Sequence, residues 1–120
     1  MRGSIYFMIS TLNSNLAVYH ESVSMSSFNG ITMHFYKVGK LVVVTYAGNL
    51  TLSSANSFIT LGNIPTGFLP LVETCITYAQ INNGIKGTGR ITFDTDGSIK
   101  AYVTLTGVYE AKISTSWITA

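Results

Sequence analysis

Four arrangements of side chains would give this 120-residue chain a chemical role: a nucleophile with its base, a pair of carboxylates, a cluster of metal ligands, or a platform for a ligand. The first three are poorly supplied. There are two histidines, His20 and His34, and no Gly-x-Ser-x-Gly turn that would present a serine nucleophile. His34 stands between Met33 and Phe35, which puts it on the polar face of a strand, and His20 lies in irregular sequence. Glycoside hydrolysis takes two carboxylates flanking the scissile bond. The five acids are Glu21, Glu73, Asp94, Asp96 and Glu110, and no local spacing pairs any two of them for that task. The run Asp94, Thr95, Asp96, Gly97 has the look of a calcium loop. Its glycine falls fourth instead of sixth, however, and Leu105 stands where the twelfth-position glutamate belongs, so a hairpin turn explains it better. The single cysteine, Cys75, shares no zinc-ligand spacing with the histidines. The expectation is a protein that is not an enzyme, with no metal site and no cofactor.

A ligand platform is the remaining chemistry. Saccharides are held by an aromatic ring against their apolar C–H face, with acids, amides and hydroxyls on their O–H groups. Trp117, the only tryptophan, and Tyr102, on the polar side of its strand, are the candidate rings. Asp94 and Arg90 are the candidate polar partners. Each has a structural alternative. Trp117 could staple the last strand or fill an assembly axis, Tyr102 could serve an interface, and Arg90 with Asp94 at i and i+4 on one strand face could form a surface ion pair. Tyr46, Tyr78 and Tyr109 are equally ambiguous.

These residues must be positioned by strands. The chain is dense in β-branched and aromatic residues, punctuated by glycine and asparagine, and carries almost no helix signal. Ile31, Met33 and Phe35 alternate with Thr32, His34 and Tyr36. Ile91 and Phe93 alternate with Arg90, Thr92 and Asp94. Ile99, Ala101, Val103 and Leu105 alternate with Lys100, Tyr102, Thr104 and Thr106. Each run predicts a strand with one buried face. Residues 41–44 are continuously apolar and predict a strand buried on both faces. Gly39 with Lys40 predicts a type II′ hairpin, Asp96 with Gly97 a type I′ hairpin, and residues 82–84 a third connection. Pro65 and Pro70 forbid a central strand, so residues 63–70 form a rigid crossover with Phe68 as an apolar plug. The fold class expected is all-β, an antiparallel sandwich or jelly-roll-like barrel in a single compact domain.

Composition narrows the partners. Charged residues make up 10% of the chain, against about 25% in an average soluble domain. Serine, threonine, glycine and asparagine replace them, a profile that suits a chain burying part of its outside against copies of itself. The net charge is +2 and its cations are scattered, which argues against nucleic acid. Cys75, in an apolar run, reads as a small buried hydrophobe. Residues 1–4 look like expression-vector residues, and the apolar pentad 5–9 is too short for a signal-peptide core or a membrane span, so no membrane insertion is expected. Residues 5–30 read as a linker, arm or edge strand, and residues 31–120 as the folded domain.

The order of features carries a resemblance. Y-K-V-G-K-L-V-V-V at 36–44 precedes G-N-L-T at 48–51 and L-G-N-I-P-T-G-F-L-P at 61–70. Then come G-R-I-T-F-D-T-D-G-S-I at 89–99 and S-W-I-T at 116–119. Across roughly residues 31–119 this set resembles the C-terminal head or receptor-binding domains of bacteriophage tail-fibre, baseplate and neck-fibre proteins. The resemblance implies a homotrimer at the tip of a fibre, attached to other phage structural proteins in the virion and assembled in the host bacterial cytoplasm. It also implies non-catalytic attachment to a bacterial cell-surface saccharide. The matched residues are turn glycines, the proline loop and core apolars, so no binding residue carries over from it. The alternatives are a structural phage trimerisation or decoration domain without a ligand, and a monomeric lectin-like carbohydrate-binding module.

Overall fold

A computed structural model describes residues 17–82 and 85–120; for 78–82, 85–87 and 111–113 it describes the backbone alone. The vector-like residues 1–4, the pentad 5–9, and Asn83 with Gly84 of the third connection lie outside the described residues.

Eight strands follow the alternation in the sequence: β1 (Val18–Ser24), β2 (Thr32–Val38), β3 (Leu41–Leu52), β4 (Phe58–Asn63), β5 (Thr74–Asn82), β6 (Ile85–Phe93), β7 (Ser98–Val103) and β8 (Gly107–Ile118). They form two four-stranded antiparallel sheets. Sheet A has the order β1-β2-β3-β8 and sheet B the order β4-β7-β6-β5. The fold is therefore an all-β sandwich. In sheet B the β5-β6-β7 meander is flanked by β4, which joins β5 through the long proline crossover, a Greek-key arrangement. Residues 18–24 form the edge strand of sheet A and pair with β2 from Val18 opposite Val38 to Ser24 opposite Thr32.

The core lies where the two inner faces meet. Met33, Phe35, Val42 and Val44 from sheet A pack against Ile91, Phe93, Ile99, Ala101 and Val103 from sheet B, all fully buried. Each large apolar side chain removed from water contributes about 1.5–3 kcal/mol, while the surface salt bridge of Lys100 with Asp94 at 3.6 Å belongs to a class worth about 0–1 kcal/mol. Core burial therefore outweighs surface charge in holding the sheets together. Phe68 closes one end of the core from the crossover, edge-on to Phe35 with ring centroids 6.4 Å apart.

Four local expectations are corrected. Residues 41–44 are buried on one face only: Val42 and Val44 point inward while Leu41 is exposed and Val43 half-buried, because sheet B covers just one side of sheet A. The Asp96 and Gly97 turn is not type I′. Of the two, only Gly97 has positive φ (96°), and its N–H donates to Asp94 O at 3.0 Å while Asp94 N–H donates to Ser98 O. This is the three-residue hairpin with a glycine bulge, whose extra residue restores the strand twist. The β7 strand stops at Val103 and leaves Leu105 exposed, because Thr104 turns back to bond Thr88. Cys75 is exposed, since β5 is the edge strand of sheet B and Cys75 sits opposite Thr92 on the outward-facing side. The Gly39 and Lys40 hairpin does have the predicted backbone, with positive φ at Gly39 (59°) and not at Lys40.

A candidate binding face on sheet B

Register builds a row across the outer face of sheet B. Phe58 on β4 is opposite Tyr102 on β7, Tyr102 is opposite Arg90 on β6, and Arg90 is opposite Thr77 on β5. Directly opposed residues in an antiparallel sheet sit about 4.5–5.5 Å apart on the same face, so the four form one contiguous strip. The Phe58 and Tyr102 rings are tilted at 55° with centroids 5.3 Å apart. The Arg90 guanidinium lies 5.1 Å from the Phe58 centroid and 5.6 Å from that of Tyr102, within cation–π range of both. Phe58 remains 53% exposed, which makes it an apolar shelf open to solvent.

The charges around this strip are distributed unevenly. The next row carries Lys100, whose ammonium is matched by Asp94. The Arg90 side chain makes no hydrogen bond or ion pair among the described residues, and its Nε is buried without a partner. The expected Arg90–Asp94 ion pair is absent for a geometric reason. Four residues along a strand span about 13 Å, too far for contact although both side chains share a face. Asp94 Oδ1 instead accepts the Thr95 N–H at 2.7 Å, which ties this carboxylate to the turn. Asp96 accepts both the Ser98 hydroxyl at 2.6 Å and the Ser98 N–H at 2.8 Å, and those bonds hold its carboxyl below the usual range.

Of the four residues singled out by sequence, Arg90 and Tyr102 adjoin one another, while Asp94 stands beyond the Lys100 row and out of contact with them. Trp117 is a correction. It is buried against Phe35 and Phe93, and its indole N–H donates to Phe68 O at 2.7 Å. Its ring is unavailable to a ligand because β8 turns Trp117 onto the inner face opposite Val42. Tyr109 is likewise a core residue with its hydroxyl donating to Leu105 O at 2.5 Å, and burial pushes its phenol upward. Tyr46 is also buried, and the Tyr78 side chain lies outside the described ones. The residue that sequence reasoning missed is Phe58. Its signal was available in the outward alternation of Phe58 and Thr60 against Ile59, but its cross-strand neighbour is far away in the chain.

The outer face of sheet A carries a separate cluster. His20 Nε2 and His34 Nδ1 are hydrogen-bonded at 2.9 Å, and His20 stacks on Tyr36 with centroids 4.7 Å apart. His34 borders a shallow hollow of about 720 Å³ lined by Gly30, Thr32, Thr45, Ala47 and Ser114. Among the described residues no three histidines, cysteines or acids gather as metal ligands.

No known protein family matches the chain, and no curated protein is significantly similar to it.

Proposed function

We propose that the chain is a non-catalytic attachment domain of a bacteriophage virion, a fibre-tip or receptor-binding head that holds a bacterial surface glycan on the outer face of sheet B. The observation that carries this reading is the exposed Phe58 shelf beside Tyr102, with the Arg90 guanidinium and its N–H donors, free among the described residues, against both rings. A sugar ring can lay its C–H face on such a shelf while its hydroxyls bond to the polar neighbours. One shallow site of this kind binds weakly, and several copies on one fibre supply avidity without any new contact. The ordered resemblance across residues 31–119 supports the phage assignment.

Assembly as a homotrimer belongs to the same proposal and has its own support. On the outer face of sheet A, register aligns Val18, Val38, Leu41 and Ile118, one from each strand. Val18 is 62% exposed, Leu41 44% and Ile118 51%. Leu71, whose N–H bonds to Ile118 O, and the following Val72 are exposed aliphatics as well. Contiguous uncharged aliphatic surface of this kind marks association sites. It also favours a second reading, a structural trimerisation domain with no ligand.

Labelling of a broad bacterial panel with fluorescent protein separates the two. The attachment reading expects at least one strain to be stained, and Phe58→Ala with Tyr102→Ala to abolish staining while leaving assembly unchanged. An unstained panel would leave the structural reading in its place.

A further inference from the structure

Resting on the saccharide reading of the sheet B face, we infer that the ligand carries an anionic oxyacid group, a carboxylate or phosphate on a sugar, held by the outer edge of the Arg90 guanidinium. The argument begins with what surrounds that cation. Both aromatic neighbours approach within cation–π distance, and Nε is walled in without an acceptor. A guanidinium has five N–H donors in a planar fork, and leaving them unpaired at a partly buried site is costly. Here the protein supplies none of the acceptors among its described residues. Asp94, on the same face of β6, is committed to Lys100 and to the Thr95 N–H.

Three features select the class of ligand. Among the described residues the positive charge on Arg90 is uncompensated while that on Lys100 is matched, so the described strip carries a net positive charge. The enclosure of Nε leaves the terminal Nη1 and Nη2 edge as the approach, and that edge matches the two oxygens of a carboxylate or phosphate in bidentate geometry. Phe58, more than half exposed on the same row, offers the apolar surface on which the sugar ring bearing that group would rest. A neutral sugar would satisfy the shelf but leave the cation unanswered. A free inorganic anion would answer the cation but not use the shelf.

The test follows the Arg90 side-chain Nε–Hε resonance and the Phe58 and Tyr102 ring resonances of the intact protein by NMR. Glucuronate, glucose 1-phosphate, glucose and inorganic phosphate are titrated to concentrations of about 50 mM, which suit a monosaccharide of millimolar affinity. Glucuronate or glucose 1-phosphate is expected to move the guanidinium and ring signals together, with glucose binding about 10- to 100-fold more weakly, the range that a charge-assisted pair supplies. Inorganic phosphate is expected to move the guanidinium signal without the rings. Arg90→Gln is expected to erase the preference for the acidic sugars, and Arg90→Lys to restore only part of it, because an ammonium lacks the fork. Equal binding of glucose and glucuronate would overturn the acidic assignment and leave the saccharide reading standing. Silence of all these resonances toward every sugar would overturn both.

Discussion

Arg90 and Trp117 show how far residue type can be trusted. Both are residues that binding sites favour, and the backbone assigns them opposite roles. The side chain of Arg90 stands on the outer face of β6 against two rings, while Trp117 faces inward with its one polar atom spent on Phe68 O. The alternation near the C-terminus misleads at this point, since apolar Ile118 is exposed and Thr119 is buried by its contacts with Pro70 and Lys40. Trp117→Ala is expected to cost about 3–5 kcal/mol of stability. Trp117→Phe, which mainly strands the Phe68 carbonyl, should cost about 1–3 kcal/mol. Urea unfolding followed by circular dichroism measures both. Tyr109 provides a pH signature. Burial holds its proton in the folded protein, whereas the unfolded chain releases it near pH 10. The stability it contributes is complete below that value and is lost as pH rises through about 10 and above. The alkaline drop in urea midpoint should shrink in Tyr109→Phe.

At the scale of elements, the strands were legible wherever one face was plainly apolar. Ile31, Met33 and Phe35, and later Ile91 with Phe93, announce their buried faces by period two, and the structure buries them all. What sequence could not supply was the neighbour of each strand. Phe58 becomes part of a site only because β4 pairs with β7, and Cys75 is exposed only because β5 is an edge. Pairing is a long-range property, set by the crossover and by which faces fit, so local pattern does not contain it. The β6–β7 turn was found but mistyped, since an Asp-Gly pair serves both the two-residue hairpin and the glycine-bulge hairpin. Gly97→Ala forces an L side chain to a φ of 96° and should cost about 1–3 kcal/mol, measurable as a lower urea midpoint. Asp96 adds an acid limb at the same turn. Its carboxyl is held below the ordinary range by Ser98, so its contribution is present above pH 3.8 and is lost as pH falls through the lowered value. Ser98→Ala should flatten that limb in an acid titration of stability.

For the whole molecule, the two outer faces differ in chemistry. Sheet B presents the aromatic and cationic strip, and sheet A presents the aliphatic row of Val18, Val38, Leu41 and Ile118. The low overall charge was the feature of composition that anticipated such a surface, although it could not say which face carries it. Light scattering on a size-exclusion column should give three times the 13.0 kDa of one chain. Leu41→Lys with Ile118→Lys should return the mass to that of one chain, because two desolvated ammonium groups per copy oppose association. A monomeric wild type would remove the homotrimer from the proposal and move the lectin-like module ahead of the fibre head. The central claim, attachment to a bacterial glycan through sheet B, is tested most directly by flow cytometry of the labelled protein on a stained strain before and after mild periodate oxidation of the cells. The account predicts that oxidation of surface vicinal diols removes staining, and that Phe58→Ala removes it too. Staining that survives both treatments would contradict it.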